Sequence, residues 1–415
     1  MRKHSSTSLL GVASILALAS CGEARPPLVP EREAMVAESF RLPNGLEVEL
    51  ASGPCGDEVA LALLFAVGPD HDPPARSGAA SVVQRLVAAR GAAGRVEMGS
   101  GHTLYSVVVA PDQLESELDD VAAWTRGLEL SEEELARARA EVLEEIARRR
   151  GGDATLTATS FAAESLQPSR GEGWRVGIAE EVASLDVAQV EAFYAAYGPR
   201  NARLVVVGAF DRAEVRARVE SVFGALPEGA PPALRDPGTS TVRGTLVMGE
   251  APSALAVAVA APAPSEPLFP AFLVLAERLL ASSAPEWDAA YEPLALPETL
   301  FVTAPIPPGA PAEPTAAGIR AALAPLLAEP PSPAELAAAE RRFGLLLGVN
   351  EHKPATCALD ARGNAVARAR RAQLDLGEVP LRAALGATTQ EQLEDAARLF
   401  EPRSTAAVIA GGAIR

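Results

Sequence analysis

Three polar side chains at helical spacing, Ser81, Gln84 and Arg85, are the residues of this chain best placed to converge on one ligand. They fall at i, i+3 and i+4 of the run Ser77-Gly78-Ala79-Ala80-Ser81-Val82-Val83-Gln84-Arg85-Leu86-Val87, so a helix there puts all three on one face. A face of that spacing holds a divalent metal when it reads His-x-x-Glu-His. Two neutral imidazoles then ligate the ion, and the glutamate takes a proton from its water. Here a serine hydroxyl is a poor ligand, the Gln84 amide cannot take up a proton, and Arg85 sets a permanent positive charge where a cation would sit. The spacing suits a metal hydrolase; the residue types do not. Other chemistry is sparse. His71, His102 and His352 lie far apart, none at ligand-pair spacing, and Ser81 has no histidine and acid nearby to make it a nucleophile. The runs Glu132-Glu133-Glu134 and Arg148-Arg149-Arg150 suit the two ends of one helix, where their charges complement its dipole.

The flanks of that helix carry more information than the helix itself. Phe40-Arg41-Leu42-Pro43-Asn44-Gly45-Leu46-Glu47-Val48-Glu49-Leu50 reads as strand, tight turn and strand, with Gly45 free to take positive φ. Gly68-Pro69-Asp70-His71-Asp72-Pro73-Pro74 leads into the helix. Val142-Leu143-Glu144-Glu145-Ile146 lies on a second helix, and Tyr194-x-x-Tyr197-x-Pro199-x-Asn201 runs into the buried strand Leu204-Val205-Val206-Val207-Gly208. Val222-Phe223-Gly224-Ala225-Leu226-Pro227 closes the segment. Together these resemble the insulinase/pitrilysin-type zinc peptidases, the mitochondrial processing peptidase among them, over most of residues 39–230. The resemblance implies that Ser81, Gln84 and Arg85 stand in the places of the metal motif and Glu145 in that of the third ligand. A further acidic position two turns upstream falls on Ala138. It also implies that Gly91–Glu97 replaces a second helix beside the cleft, which leaves the rim short. With the metal positions degenerate, Arg85 and Glu145 are expected to form an ion pair, the guanidinium offering two parallel hydrogen bonds.

A repeat offset by 203 residues sets the architecture. Gln189-Val190-Glu191 matches Gln392-Leu393-Glu394, Tyr197 matches Phe400, Pro199-Arg200 matches Pro402-Arg403, and the strands ending at Gly208 and Gly411 correspond. The domain starts echo each other too: strand Val59–Val67, a Pro-rich loop and the Ser81 helix parallel Ala254–Ala261, a Pro-rich loop and a helix over Ala271–Ala281. The fold expected is α+β, two tandem homologous metallohydrolase-like domains, each a mixed β-sheet backed by helices. The boundaries read 39–228 and 242–415, joined by a Pro/Gly-rich linker over 229–241. Pro305–Pro314 and Pro330–Pro333 read as loops, and Ser332 with Glu335 as a capping box for a helix over Ala334–Leu347. In the resembled family the second half supplies an Arg and a Tyr that hold substrate. No arginine occurs between Arg278 and Arg320, and Tyr291 stands in an Ala/Pro-rich segment without such a partner.

The chain has 415 residues, 48% of them hydrophobic and only 4% aromatic, so two sizeable cores must rest on Ala, Leu and Val. At the amino terminus Arg2, Lys3 and His4 precede the apolar run Leu9–Leu18, too short for a mature membrane span. Leu18-Ala19-Ser20-Cys21-Gly22 reads as a lipobox: residues 1–20 a signal peptide, Cys21 the lipidated thiol, 21–38 a tether. Two acyl chains on one cysteine hold stably to a membrane. Gly22 rather than aspartate favours an outer membrane, with the protein facing the periplasm. Loss of Arg2 and Lys3 takes the formal charge from −17 to −19, which argues against nucleic acid and anionic lipid surfaces. Cys55 and Cys357 either pair in an oxidising compartment or stay as two thiols.

These readings converge on a catalytically inactive, lipid-anchored envelope protein of peptidase-like fold, without cofactor. It would serve as a non-catalytic partner of an active homologous peptidase subunit or as a chamber for extended peptides. An active zinc endopeptidase with non-standard ligands, drawing on His71 or His102 beside Glu145, is the alternative. A structural envelope lipoprotein that binds no peptide is the third.

Overall fold

The computed structural model describes residues 35–411, apart from 54–56, 91–93, 152, 167–175, 233–243, 249–251, 283–285, 294–298, 347–360, 372–380 and 402–405. The signal segment, Cys21, Cys55, Cys357, His352, Pro402-Arg403 and most of the linker lie outside the described residues. Glu33–Arg415 forms one compact unit. Its first half runs β1 (Val36–Arg41), β2 (Glu47–Ser52), β3 (Val59–Phe65), α1 (Ala79–Ala89), β4 (Arg95–Met98), β5 (Thr103–Val109), α2 (Leu114–Arg126) and α3 (Glu132–Gly151). It continues through α4 (Ala154–Leu166), α5 (Ala179–Ser184), α6 (Val187–Tyr194), β6 (Ala202–Gly208) and α7 (Arg212–Phe223). The second half runs β7 (Gly244–Met248), β8 (Pro252–Ala260), α8 (Phe269–Ala281), β9 (Asp288–Ala290), β10 (Thr299–Pro305) and α9 (Ala312–Ala328). It ends with α10 (Pro333–Leu346), α11 (Ala361–Arg371), α12 (Leu381–Gly386), α13 (Gln390–Ala397) and β11 (Ala406–Gly411).

The fold is α+β. One sheet has the order β1-β2-β6-β3-β5-β4 and the other β7-β11-β8-β10-β9. In each, a single parallel pair, β2 with β6 and β7 with β11, sits among antiparallel neighbours. The repeat is visible in its caps. Asp186 and Thr389 start α6 and α13, each accepting from the backbone N–H of a glutamine three residues on, Gln189 and Gln392, in matching capping boxes. The turn at Pro43-Asn44-Gly45 joins β1 to β2 with Gly45 at φ +93°. The Asn44 amide donates to the carbonyls of Phe223 (2.7 Å) and Leu226 (3.1 Å), tying the first turn to the closing run. The Pro305–Pro314 loop is shorter than its prolines suggest, because β10 runs to Pro305 and α9 begins at Ala312, with Pro314 in its first turn, where a missing N–H breaks no helical hydrogen bond.

Alternation along the central strands explains the layers. Every residue of β3 is buried. Its large members Leu61, Leu63 and Phe65 share a core with Val83, Leu86 and Val142 of α1 and α3. Its smaller ones, Ala60, Ala62 and Leu64, face Ala361, Ala365 and Ala369 of α11. The second sheet repeats this pattern: Leu255 and Val257 join the core under α8, while Ala256 and Ala258 meet Ala158 and Ala162 of α4. Each half therefore lends one alanine-faced helix to the other half's sheet, and small residues on both sides let helix and sheet approach closely. The few aromatic side chains form two chains of contacts, Phe65, Tyr105, Trp124, Phe193, Tyr194 and Tyr197 in the first core and Phe272, Tyr291, Phe343 and Phe400 in the second.

Candidate functional site

Helix α1 is held at its start by side chains rather than by a capping residue of its own. The Asp72 carboxylate accepts from the backbone N–H of Gly78 (2.6 Å) and Ala80 (2.8 Å), and Glu181 accepts from Ser77 N–H (2.7 Å). Both anions sit where the positive end of the helix dipole favours them. Gly78 is required there: its φ is +96°, and a Cβ would stand 2.5 Å from Val182 and 2.9 Å from the Val176 carbonyl oxygen. The apolar face of α1 enters the core, which leaves Ser81, Gln84 and Arg85 turned toward α3.

The structure brings the four sequence-derived positions together. Ser81, Gln84, Arg85 and Glu145 line one cavity of about 200 Å³, completed by Met98, Arg149 and Val176. The expected ion pair is present, with Arg85 Nη2 donating to Glu145 Oε2. It is not the two-pronged pair expected from the sequence, because the other carboxylate oxygen is taken. Arg149, one turn further along α3, donates to Glu145 Oε1 from Nε (3.0 Å) and Nη2 (2.6 Å). Sequence reasoning assigned Arg149 to the helix dipole; its i, i+4 spacing from Glu145 was the signal for this second role. Met98 and Val176 carried no sequence signal, because strand β4 and the residues before α5 reach the cavity only through the tertiary fold.

The electrostatics follow from this geometry. Burial pushes the Glu145 carboxyl up, but the hydrogen bonds and charge of Arg149, then the charges of Arg85 and Arg148, outweigh it and hold it below the ordinary carboxylate range. Glu145 is thus ionised and committed to two guanidiniums. A zinc ion, which the fold would imply, does not fit this set: Ser81 and Gln84 offer a neutral hydroxyl and amide, Arg85 is a cation, and the Glu145 carboxylate is engaged on both oxygens. Neither His71 nor His102 lines the cavity. His71 Nδ1 accepts from Gly68 N–H (3.1 Å), and His102 is buried, its pKa pushed down to about 4 by burial and by the Arg370 charge. Among the described residues no three His, Cys, Asp or Glu side chains are grouped to hold a metal.

In the second half, Tyr291 and Arg278 are both engaged in packing and fastening the fold. Tyr291 packs edge-on against Phe272 (5.4 Å) and Phe343 (5.9 Å) in the second core. Arg278 is buried and donates to Glu335 and to the carbonyls of Leu326, Glu329 and Pro330, which fastens α8 to the start of α10. Ser332 and Glu335 exchange the hydrogen bonds of a capping box there.

A family model described as "Peptidase M16 inactive domain" matches residues 184–343. A search of curated protein sequences returns no match. Among solved structures, a protease from Helicobacter pylori aligns at TM-score 0.70 and 18% identity, covering 91% of this chain and all of its own. A peptidase M16 inactive domain from Pseudomonas fluorescens aligns at TM-score 0.67 and 17% identity, over 91% of this chain and 98% of that one. The periplasmic protease PqqL from Escherichia coli aligns at TM-score 0.61 and 16% identity, over 90% of this chain but only 47% of PqqL. The inactive-domain model is thus matched across the middle of the chain, and along nine-tenths of its length the chain has the fold of M16-like peptidases.

Proposed function

We propose that this protein is a catalytically inactive M16-like envelope lipoprotein that acts as a non-catalytic partner of an active homologous subunit or as a peptide-binding chamber. One observation carries the reading: the Arg85 guanidinium occupies the face where a metal would be ligated, and with Arg149 it saturates Glu145. The remaining side chains, Ser81 and Gln84, can neither ligate zinc strongly nor take a proton from water. Ser81, Gln84, Arg85 and Glu145 are on this reading the degenerate metal positions. On the partner reading, an active homologous subunit would supply the other half of an enclosure like that of the E. coli protease, 47% of which aligns with this chain. Cys21 would carry the lipid, and no helix among the described residues is long and apolar enough to cross a membrane in its place.

The test uses purified full-length protein in detergent, dialysed against zinc and assayed for bound metal, peptide binding and peptide cleavage. The expected result is substoichiometric zinc and retention of unstructured peptides uncut. Near-stoichiometric zinc that a chelator removes, together with cleavage that stops on its removal, would establish the active endopeptidase instead. Absence of affinity for any peptide and for any homologous subunit would leave the structural lipoprotein.

A further inference from the structure

The cavity between α1 and α3 has lost the means to hold a cation and gained the means to hold an anion. Its lining carries Arg85 and Arg149 against the single carboxylate of Glu145, a net charge of +1, and Arg148 adds to the positive field felt by Glu145. Both Glu145 oxygens are already covered by guanidinium donors, so the carboxylate no longer presents a bare acceptor to the cavity. Donors remain over. Arg85 spends Nη2 on Glu145, and its Nε is buried without an acceptor. Arg149 spends Nε and Nη2, which leaves Nη1. Among the described residues neither the Ser81 hydroxyl, in a residue only 4% exposed, nor the Gln84 amide has a hydrogen-bond partner, and both line the cavity.

From this donor set we infer that the former metal pocket binds a carboxylate, carried by a peptide as its chain end or as an acidic side chain. A monoanion matches the single surplus charge; a phosphate dianion would exceed it. Guanidinium, amide and hydroxyl donors are the groups that recognise a carboxylate. Met98 and Val176 give the wall an apolar part for the carbon attached to that carboxylate. About 200 Å³ is several times the ~30 Å³ share of one water in the liquid, room for a terminal residue rather than an ion alone. This inference rests on the inactive, peptide-binding reading and names the chemistry that reading would select.

The test begins with a small probe, so that it does not depend on long peptides being bound. N-acetylleucine and N-acetylleucinamide are titrated against the full-length protein by ligand-observed NMR. The acid is expected to bind roughly tenfold or more tightly than the amide, as loss of a charge-assisted contact predicts, and to weaken as salt rises. Arg85→Gln should remove the preference. Gln84→Leu, at a side chain with no hydrogen-bond partner among the described residues, should weaken the acid without altering the fold as judged by circular dichroism. Peptides ending in a free carboxylate, peptides ending in an amide, and amidated peptides with an internal glutamate then separate the two sources of the group. Equal binding of acid and amide by the wild type, an unchanged preference in folded Arg85→Gln, or tighter binding of inorganic phosphate than of the acid would each overturn the inference. Peptide retention without any preference for the acid would leave the chamber reading standing and this one refuted, whereas stoichiometric zinc would strike the reading beneath it.

Discussion

Replacing Glu145 with Gln should destabilise the protein about twice as much as replacing Arg85 with Gln, although both remove the same ion pair. Glu145 accepts from two arginines, through Arg85 Nη2 on one oxygen and Arg149 Nε and Nη2 on the other. Glu145→Gln removes the charge that both guanidiniums share and leaves two cations facing each other across the cavity. Arg85→Gln leaves the Arg149 bonds intact. Hydrogen bonds to charged groups contribute about 1.5–3 kcal/mol each when buried, but the Arg85 side chain is 32% exposed and that of Glu145 17%, so solvent reduces this. The expected losses are about 2 kcal/mol for Glu145→Gln and about 1 kcal/mol for Arg85→Gln, read from urea unfolding by tryptophan fluorescence and circular dichroism. The sign with pH is fixed. The folded carboxyl is held below its ordinary range, so its stabilisation is complete above the unfolded pKa of about 4.3 and fades as pH falls through the folded value. The gap between wild type and Glu145→Gln should therefore be constant from pH 7 to 5 and shrink toward pH 3. Equal losses for the two variants, or a gap that does not change with acid, would refute the shared-carboxylate account.

Three more outcomes are expected. Cys21→Ser should release the protein from membranes or leave its precursor uncut; normal processing and outer-membrane fractionation of that variant would reject the lipoprotein assignment. The triple variant Ser81→His, Gln84→Glu, Arg85→His should bind zinc only weakly, because Arg149 still grips the carboxylate a metal would need. Adding Arg149→Leu should tighten zinc measurably while proteolysis stays weak, and rapid cleavage of unstructured peptides by either variant would show that the second half still positions substrate. His102, neutral and buried, should cost stability in acid: with its pKa pushed from 6.5 to about 4, stability present above pH 6.5 is lost progressively down to pH 4. The loss is about 3 kcal/mol, and His102→Asn should flatten that slope in a pH series of unfolding midpoints.

Local chemistry was the legible part of this molecule. The Pro43-Asn44-Gly45 turn, the charge runs at the two ends of α3 and the Ser332/Glu335 cap are short-range signals, and each appears where its residues stand. The repeat pointed to two domains of like plan, each with a mixed sheet, and both sheets pair one parallel couple with antiparallel neighbours. The Arg85–Glu145 pair was legible through resemblance alone, since 60 residues separate its members. What stayed hidden has a common cause. Arg149 competes for Glu145 through ordinary helical spacing, but a charge run at a helix end also satisfies the dipole, and sequence does not say which role governs. Tyr291 finds Phe272 and Phe343 across three elements, contacts with no local trace. The alternation of small and large residues along β3 and β8 was present in the sequence, yet only the fold shows that each alanine row awaits a helix from the other half.

That exchange of helices governs how the chain must fold. The small-residue row of β3, at residues 59–65, gains its cover only when α11, at residues 361–371, exists, so about three hundred residues must be made before the first sheet is finished. Until then an apolar sheet face waits in the open, where it can pair with the wrong helix or the wrong chain. Contacts this distant in sequence close slowly, because the entropy of the long loop is lost before any packing is gained. The protein is thus built to fold late and as a whole. A nascent or exported chain would need its first half shielded by a chaperone through most of its synthesis or passage.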